Sequence, residues 1–295
     1  MQVPSFAKIN WTLEILGRRP DGYHELRTIL QTVDVRDDLS FSLADSEIIL
    51  TCDNPAVPCD KTNLIFQAAL LLRELTGCEK GANIHLTKRI PMGAGLGGGS
   101  SNAAVALLAL IRLWDLEVAS QDLLAIGAKL GADVPFFFFG GTGIGIGRGD
   151  EVYPMADITS DHLLLVNPGI NVPTREIYGN LPSVLTSAPA LNKIPHSLAL
   201  VYEQNMKLPL QLRNDLEVPA LSLFPEISEV KQRLTALNAT QVLMSGSGST
   251  VFAVFESEAA CVQAKLQLPE GWWCEKTRTL DREAYQAALR FFRNT

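Results

Sequence analysis

Pro91-Met92-Gly93-Ala94-Gly95-Leu96-Gly97-Gly98-Gly99-Ser100-Ser101-Asn102 is the most unusual stretch of this chain, with five glycines among the nine residues from Gly93 to Ser101. Upstream, Asn83 to Arg89 alternates apolar and polar residues and predicts a strand; downstream, Asn102 to Trp114 is strongly apolar and predicts a helix. The order is strand, glycine loop, helix. Without Cβ atoms, successive backbone N–H groups can turn inward on an anion, and the helix N-terminus adds partial positive charge, so the loop reads as a phosphate cradle. The plainer alternative is a tight connection in which Ser100 or Ser101 only caps the helix. The loop lacks the Lys of G-x-x-x-x-G-K-[ST], so it is not a Walker A loop. Gly93 to Gly98 also satisfies G-x-G-x-x-G, but Asp115, the acid at a suitable distance, follows a helix instead of closing a second strand, which disfavours dinucleotide binding.

Around this loop, Val3 to Leu16 alternates as a strand, and Gly17 to Gly22 supplies turn residues. Short strands are expected at Leu30 to Val35, Leu39 to Leu43 and Ile48 to Cys52, then a helix from Asn63 to Thr76 stopped by Gly77. A further helix, Gln121 to Leu130, ends at Gly131 and leads into Ala132-Asp133-Val134-Pro135 and the Phe136 to Phe139 run. Gly140 to Gly149 reads as a glycine-dense connection. From about Tyr153 the pattern restarts: a strand at His162 to Val166, a Pro/Ser-rich loop from Asn167 to Pro195, and helices near Leu198 to Asn205 and Ile227 to Leu237. Two strands flank a Ser-Gly-Ser-Gly-Ser turn within Val242 to Phe255, and helices close the chain at Ala259 to Leu266 and Asp281 to Phe292. Strands and helices mixed without strict βαβ repetition predict two α+β domains, 1–155 and 156–295.

The 295 residues carry 25 Lys+Arg against 32 Asp+Glu, a net charge of −7, which argues against a large nucleic-acid or anionic-membrane surface. Any anionic ligand has to be met locally. Five scattered cysteines, with no C-x-x-C pair and no histidine at zinc-site spacing, read as reduced thiols. Met1 to Trp11 lacks a leader pattern, and the longest apolar run, Ala103 to Ile111, is far short of the roughly 18 to 20 residues of a membrane span. A cytoplasmic location is the expectation.

Phosphoryl transfer needs positioning, cations around the transferring group and a proton acceptor. Lys8 sits inside an apolar strand with Asn10 two residues on, and therefore on the same face. Taken alone, such a Lys reads more readily as a solvated residue, and Asp133 equally well as a cap on the next helical turn. Tyr23-His24 follows the turn Pro20-Asp21-Gly22 and places an aromatic ring and an imidazole where they could stack on and read a base. Ser245 to Ser249 is either a flexible hairpin or a second backbone-amide clamp.

Together these segments resemble the GHMP kinase superfamily: Pro4-Ser-Phe-Ala-Lys8-Ile-Asn10 on the first strand, the Pro91 to Asn102 loop, Gly131-Ala-Asp133-Val-Pro-Phe, Asn214-Asp215-Leu-Glu217, and Met244 to Ser249. Within it, Arg19-Pro-Asp-Gly-Tyr23-His24-Glu-Leu26 resembles the branch of the non-mevalonate isoprenoid pathway whose acceptor is a cytidylylated methylerythritol. The resemblance implies a two-domain α+β fold, with a ribosomal S5 domain 2-like first domain, a ferredoxin-like second domain, and the active site between them. It implies ATP and Mg²⁺ as cofactors, with transfer of the γ-phosphoryl to the acceptor's 2-hydroxyl. Lys8 and Asp133 take the catalytic positions; Asn10, Tyr23, His24, Thr174 and Tyr178 take the substrate positions, the last two aligned by spacing after Asn167-Pro-Gly. Pro91, Met92, Gly93, Ala94, Gly95, Leu96, Gly97, Gly98, Gly99, Ser100, Ser101 and Asn102 take the ATP phosphates, and Asn63, Leu64 and Lys88 lie near the adenosine. Ser100 or Ser101 is the candidate Mg²⁺ ligand. Small molecules are the expected partners of a monomer or weak homodimer, with neither nucleic acid nor membrane. Three alternatives stay open on sequence: another small-molecule kinase of the superfamily, such as a homoserine or mevalonate kinase, a dinucleotide-dependent oxidoreductase, and a non-catalytic nucleotide-binding regulator.

Overall fold

The computed structural model describes residues 1–186 and 212–289. β1 (Gln2–Arg18) and β2 (His24–Ala44) form the long antiparallel hairpin that organises the first half. Register shifts at Phe6/Ala7, Asn10/Thr12 and Ile15/Gly17 re-aim the side chains of β1 along its length. β3 (Ile48–Cys52) runs parallel to β4 (Gly81–Thr87), which pairs with Asp38 to Ala44 of β2. β5 (Thr142–Gly147) pairs with Leu26 to Gln31 of β2, and β6 (Glu151–Pro154) pairs with β5.

Helices α1 (Leu64–Thr76), α2 (Gly98–Leu113) and α3 (Ser120–Leu130) pack against this sheet through Leu72, Leu107 and Ile126, among others. α1 is bounded by local chemistry: the Asn63 side chain accepts from the Ile65 N–H, and Gly77 turns left-handed at φ 68 with its N–H bonded to the Arg73 carbonyl. A short 3₁₀ turn, Pro135–Phe138, follows Asp133.

The second half has a four-stranded sheet in the order β11-β7-β10-β9, made of β7 (Leu163–Asn167), β9 (Gln241–Met244), β10 (Val251–Val254) and β11 (Trp273–Thr277). β8 (Arg213–Asn214) instead joins the first sheet, parallel to Thr12 and Leu13 of β1. The helices here are α4 (Thr174–Gly179), α5 (Ser183–Thr186), α6 (Glu217–Leu223), α7 (Pro225–Ala236), α8 (Glu258–Leu266) and α9 (Arg282–Leu289). α9 returns to the first half, where the buried Tyr285 hydroxyl donates to the Phe137 carbonyl at 2.5 Å. Ala7, Ile9 and Trp11 of β1 are buried with Leu165 of β7 and Phe252 of β10, Trp11 meeting Phe252 edge-on at 5.4 Å. Ala94 and Leu96 of the glycine loop are buried in this same cluster, which anchors the loop between the two sheets.

Several elements differ from the local reading. The strands expected at Leu30 to Val35 and Leu39 to Leu43 are one continuous strand, β2. The acidic step at Asp37 looks like a break, yet Asp37 is fully buried and accepts from the Lys88 ammonium, the Asn102 amide and the N–H groups of Arg89 and Ile90. A buried carboxylate with that many donors is tolerated in a strand. α2 begins at Gly98, four residues before the expected start, so Gly98 to Ser101 form its first turn. The glycine-dense connection is a hairpin, β5 and β6: a Cβ on Gly143 would sit 3.3 Å from Val152, so glycine there permits close pairing. α4, α6, β8 and β11 carry no clear local signal. The helix expected near Leu198 to Asn205 lies outside the described residues, and the one expected from Asp281 to Phe292 is described only as Arg282–Leu289.

Candidate active site

Lys8 and Asn10 do share a face of β1, as their spacing requires: Lys8 Nζ donates to Asn10 Oδ1 at 2.8 Å, and Asn10 Nδ2 donates to Thr28 Oγ1 at 2.7 Å. Lys8 Nζ also lies 3.3 Å from Asp133 Oδ2. The lysine side chain is 4% exposed and the aspartate 33%, so the cation is enclosed while the carboxylate still opens outward. A buried ammonium needs such partners, and with one partner enclosed the pair is screened less than a surface ion pair.

The glycine loop is bonded into this corner through its carbonyls. Lys8 N–H donates to Leu96 O at 2.9 Å, Thr250 N–H to Ala94 O at 3.2 Å, and Ser245 Oγ to Gly95 O at 2.9 Å. Gly95 and Gly97 take φ of +75 and +67. A Cβ on Gly97 would stand 2.9 Å from Lys8 Cγ and 3.0 Å from Phe137, so glycine lets the loop close on the lysine. Beyond it, Gly97 to Ser100 line a cleft of about 330 Å³, whose other walls include Val57, Pro58, Asn63, Leu64, Lys88, Asn102 and Pro91 to Leu96. The first N–H groups of α2 have no intrahelical acceptor and belong to this wall. Among the described residues, a larger hollow of about 540 Å³, bordered by Asp45, Lys80 and Asp115, shares no lining residue with it.

The Ser245 to Ser249 segment is a buried, tightly bonded turn. Asn214 Nδ2 donates to the Met244 and Gly246 carbonyls, Ser249 Oγ to the Ile170 carbonyl, and a Cβ on Gly246 would lie 3.3 Å from Lys8 Nζ. Thr174 Oγ1 is 2.8 Å from Ser247 Oγ, which brings α4 to the same turn. The His24 and Tyr178 rings stand 5.3 Å apart, tilted by 33°. Burial raises the Tyr178 pKa, and the negative charge of Asp133 adds to this, so Tyr178 lies within electrostatic range of that carboxylate. Burial, and secondarily the Arg18 charge, lower the His24 pKa. Tyr23 is 59% exposed on the loop before His24.

Besides Asn102, which donates to Ser5 Oγ and Asp37, three expected nucleotide residues have internal partners. Asn63 uses both ends of its amide, accepting from Ile65 N–H and donating to the Pro58 carbonyl at 2.7 Å. Lys88 Nζ lies 2.7 Å from Asp37 Oδ2 and also donates to the Ile90 carbonyl. Ser101 is fully buried and accepts from Ser5 Oγ at 2.8 Å, whereas Ser100 lines the cleft beside the Asp133 segment, its Oγ 3.5 Å from where a Gly131 Cβ would be. Asp37 escaped the sequence reading, since its partners come from segments far along the chain. Among the described residues no group of three His, Cys, Asp or Glu side chains could hold a metal. Ser100 Oγ, on the cleft wall, is a hard oxygen donor and suits a magnesium ion that keeps most of its bonds to phosphates and water.

Known proteins resemble this chain along nearly its whole length. Residues 63–141 match the model of the GHMP kinases N terminal domain, and residues 197–272 that of the GHMP kinases C terminal domain. The chain is 42% identical over 283 residues to the 4-diphosphocytidyl-2-C-methyl-D-erythritol kinase of Geobacter sp. (strain M21), covering 95% of this chain and 99% of that one. It is 40% identical over 276 residues to the enzyme of the same name from Geobacter sulfurreducens, covering 93% and 97%. A crystal structure of 4-(cytidine 5'-diphospho)-2C-methyl-D-erythritol kinase superposes with a TM-score of 0.76 at 37% identity, covering 95% of this chain and all of that one. Homoserine kinase from Cytophaga hutchinsonii, at 19% identity, 96% coverage of both chains and a TM-score of 0.65, shares the fold. With identity this high along nearly its whole length, the chain belongs to the 4-diphosphocytidyl-2-C-methyl-D-erythritol kinase family of GHMP kinases.

Proposed function

We propose that this kinase transfers the γ-phosphoryl of ATP to the 2-hydroxyl of 4-diphosphocytidyl-2-C-methyl-D-erythritol, at a site between two domains divided after residue 155, and that Lys8 and Asp133 hold the reacting alcohol. The observation that carries this reading is the Lys8–Asp133 pair, at 3.3 Å, with its enclosed ammonium abutting the glycine loop through Gly97. The loop and the first N–H groups of α2 receive the ATP phosphates. Asp133, open on one side, accepts the hydroxyl proton as the new O–P bond forms and the bond from the γ-phosphorus to the bridging oxygen breaks, with ADP as the leaving group. Lys8, fixed by Asn10, donates to the alcohol oxygen and offsets charge on the transferring group. A loose transition state requires little more than this positioning and a late proton acceptor. When bound, a magnesium ion would be held by Ser100 together with the ATP phosphates and would supply further charge neutralisation.

Tyr23, His24 and Tyr178 supply the cytosine site: the rings stack on the base, and the His24 imidazole meets its polar edge. Thr174, tied to Ser247, completes the substrate side. An ADP-release assay with the cytidylylated acceptor, homoserine, mevalonate and galactose tests the reading. Turnover confined to the cytidylylated acceptor is expected; equal turnover with an acceptor that carries no base overturns it.

A further inference from the structure

The β5–β6 hairpin reaches the nucleobase loop through one side chain. Arg148, in the turn between these strands, carries its guanidinium carbon 5.2 Å from the centroid of the Tyr23 ring. The guanidinium is itself held: Arg148 Nε lies 3.1 Å from Asp150 Oδ2, and Nη2 bonds the same oxygen. The Tyr23 loop is also braced by its own side chains: the Asp21 carboxylate accepts the Tyr23 N–H at 3.1 Å, and Arg19 binds both Asp21 and Glu25.

We infer that Arg148 is a positioning residue for base recognition: its guanidinium covers one face of Tyr23 and holds the ring in the orientation that presents the opposite face to the cytosine. This inference rests on the base site proposed above. An aromatic ring that is 59% exposed on a loop has rotamer freedom to lose when it stacks on a ligand, and fixing it beforehand removes that cost from binding. Stacking of a planar cation on the phenol ring fixes it without blocking the second face. Asp150 keeps the cation in place, so its role passes through Arg148. The device discriminates between acceptors with and without a base, because it acts on a ring that only a base contacts.

The test compares Arg148→Ala, Tyr23→Ala and the double variant, with KM for the cytidylylated acceptor, kcat, and inhibition by cytidine, which carries no phosphate. An exposed cation–π contact corresponds to roughly a two- to fivefold change. Arg148→Ala is therefore expected to raise KM and the cytidine inhibition constant by that factor, with kcat and the KM for ATP within twofold of the parent. In the Tyr23→Ala background the same substitution should change neither constant. Arg148→Lys, which keeps the charge but loses the planar stack, should recover only part of the loss. An Arg148 effect that persists without Tyr23, or one that spares cytidine, marks direct contact with the substrate phosphates and overturns the inference. Failure of Tyr23→Ala to weaken cytidine would instead remove the base site itself.

Discussion

The ammonium of Lys8 lies 3.3 Å from the Asp133 carboxylate although the two residues sit on β1 and just before the Pro135–Phe138 turn, separated in sequence by most of the first half of the chain. Three independent connections hold this approach: Lys8 N–H to Leu96 O, Lys8 Nζ to Asn10, and Tyr285 to Phe137 behind the 3₁₀ turn.

Removal of either partner is expected to affect chemistry more than nucleotide binding, because neither residue lines the cleft proposed for ATP. Asp133→Asn and Lys8→Ala should each lower kcat by about 10² or more, with ATP affinity within a few-fold of the parent. Steady-state kinetics alongside titration with a non-hydrolysable ATP analogue separate the two effects. Near-parental turnover would take the residue out of the mechanism.

Gly95 is the point at which the loop meets the Ser245 turn. A Cβ there would lie 2.0 Å from the Ser245 carbonyl oxygen, and φ is +75, so both atom overlap and backbone strain oppose any side chain. Gly95→Ala should destabilise the fold by about 2 kcal/mol or more and lower Tm by several degrees. Scanning calorimetry decides this, and an unchanged Tm would show that the two turns are not locked together.

Asp37 and Lys88 form a buried pair whose carboxylate also holds Asn102 and the chain entering the glycine loop. Asp37→Ala leaves the Lys88 ammonium with only the Ile90 carbonyl and should cost about 3–5 kcal/mol in urea unfolding. Pairing it with Lys88→Met should return part of that loss. If the double variant were no more stable than Asp37→Ala, the unpaired charge would not be the cause.

The His24 pKa lies below its ordinary 6.5, chiefly through burial and secondarily through Arg18. The unfolded chain therefore takes up this proton at higher pH than the folded one does. The stability linked to the imidazole is intact above about 6.5 and is lost as pH falls through the folded value. At neutral pH the ring is uncharged and offers one donor and one acceptor to a base. With only four histidines in the chain, NMR titration should resolve a His24 midpoint below 6.5, and Arg18→Gln should move it upward. A midpoint at or above 6.5 in the parent protein would contradict this.

Much of this was legible in the residues because it depends on near neighbours. The density of glycine before an apolar run marks a loop entering a helix, Asn63 and Gly77 mark the ends of α1, and the two-residue repeat of β1 places Lys8 and Asn10 together. Other features were illegible because they depend on partners far along the chain. Asp37 can lie inside a continuous β2 only because Lys88, Arg89, Ile90 and Asn102 come to meet it. Likewise, the glycine-rich β5 is a strand because its neighbours on β2 and β6 pair with it.

By itself, the order of residues determined the local chemistry: where a phosphate could be cradled, which face of the first strand carries an ammonium, and where an aromatic and an imidazole adjoin. Tertiary structure alone decided that Asp133 meets Lys8, that Lys88 is spent on Asp37, and that the Ser245 turn closes against Gly95. The reason is that strand and helix periodicity acts over a few residues, whereas these contacts depend on strand register, bulges and the packing of two sheets through the Trp11–Phe252 core.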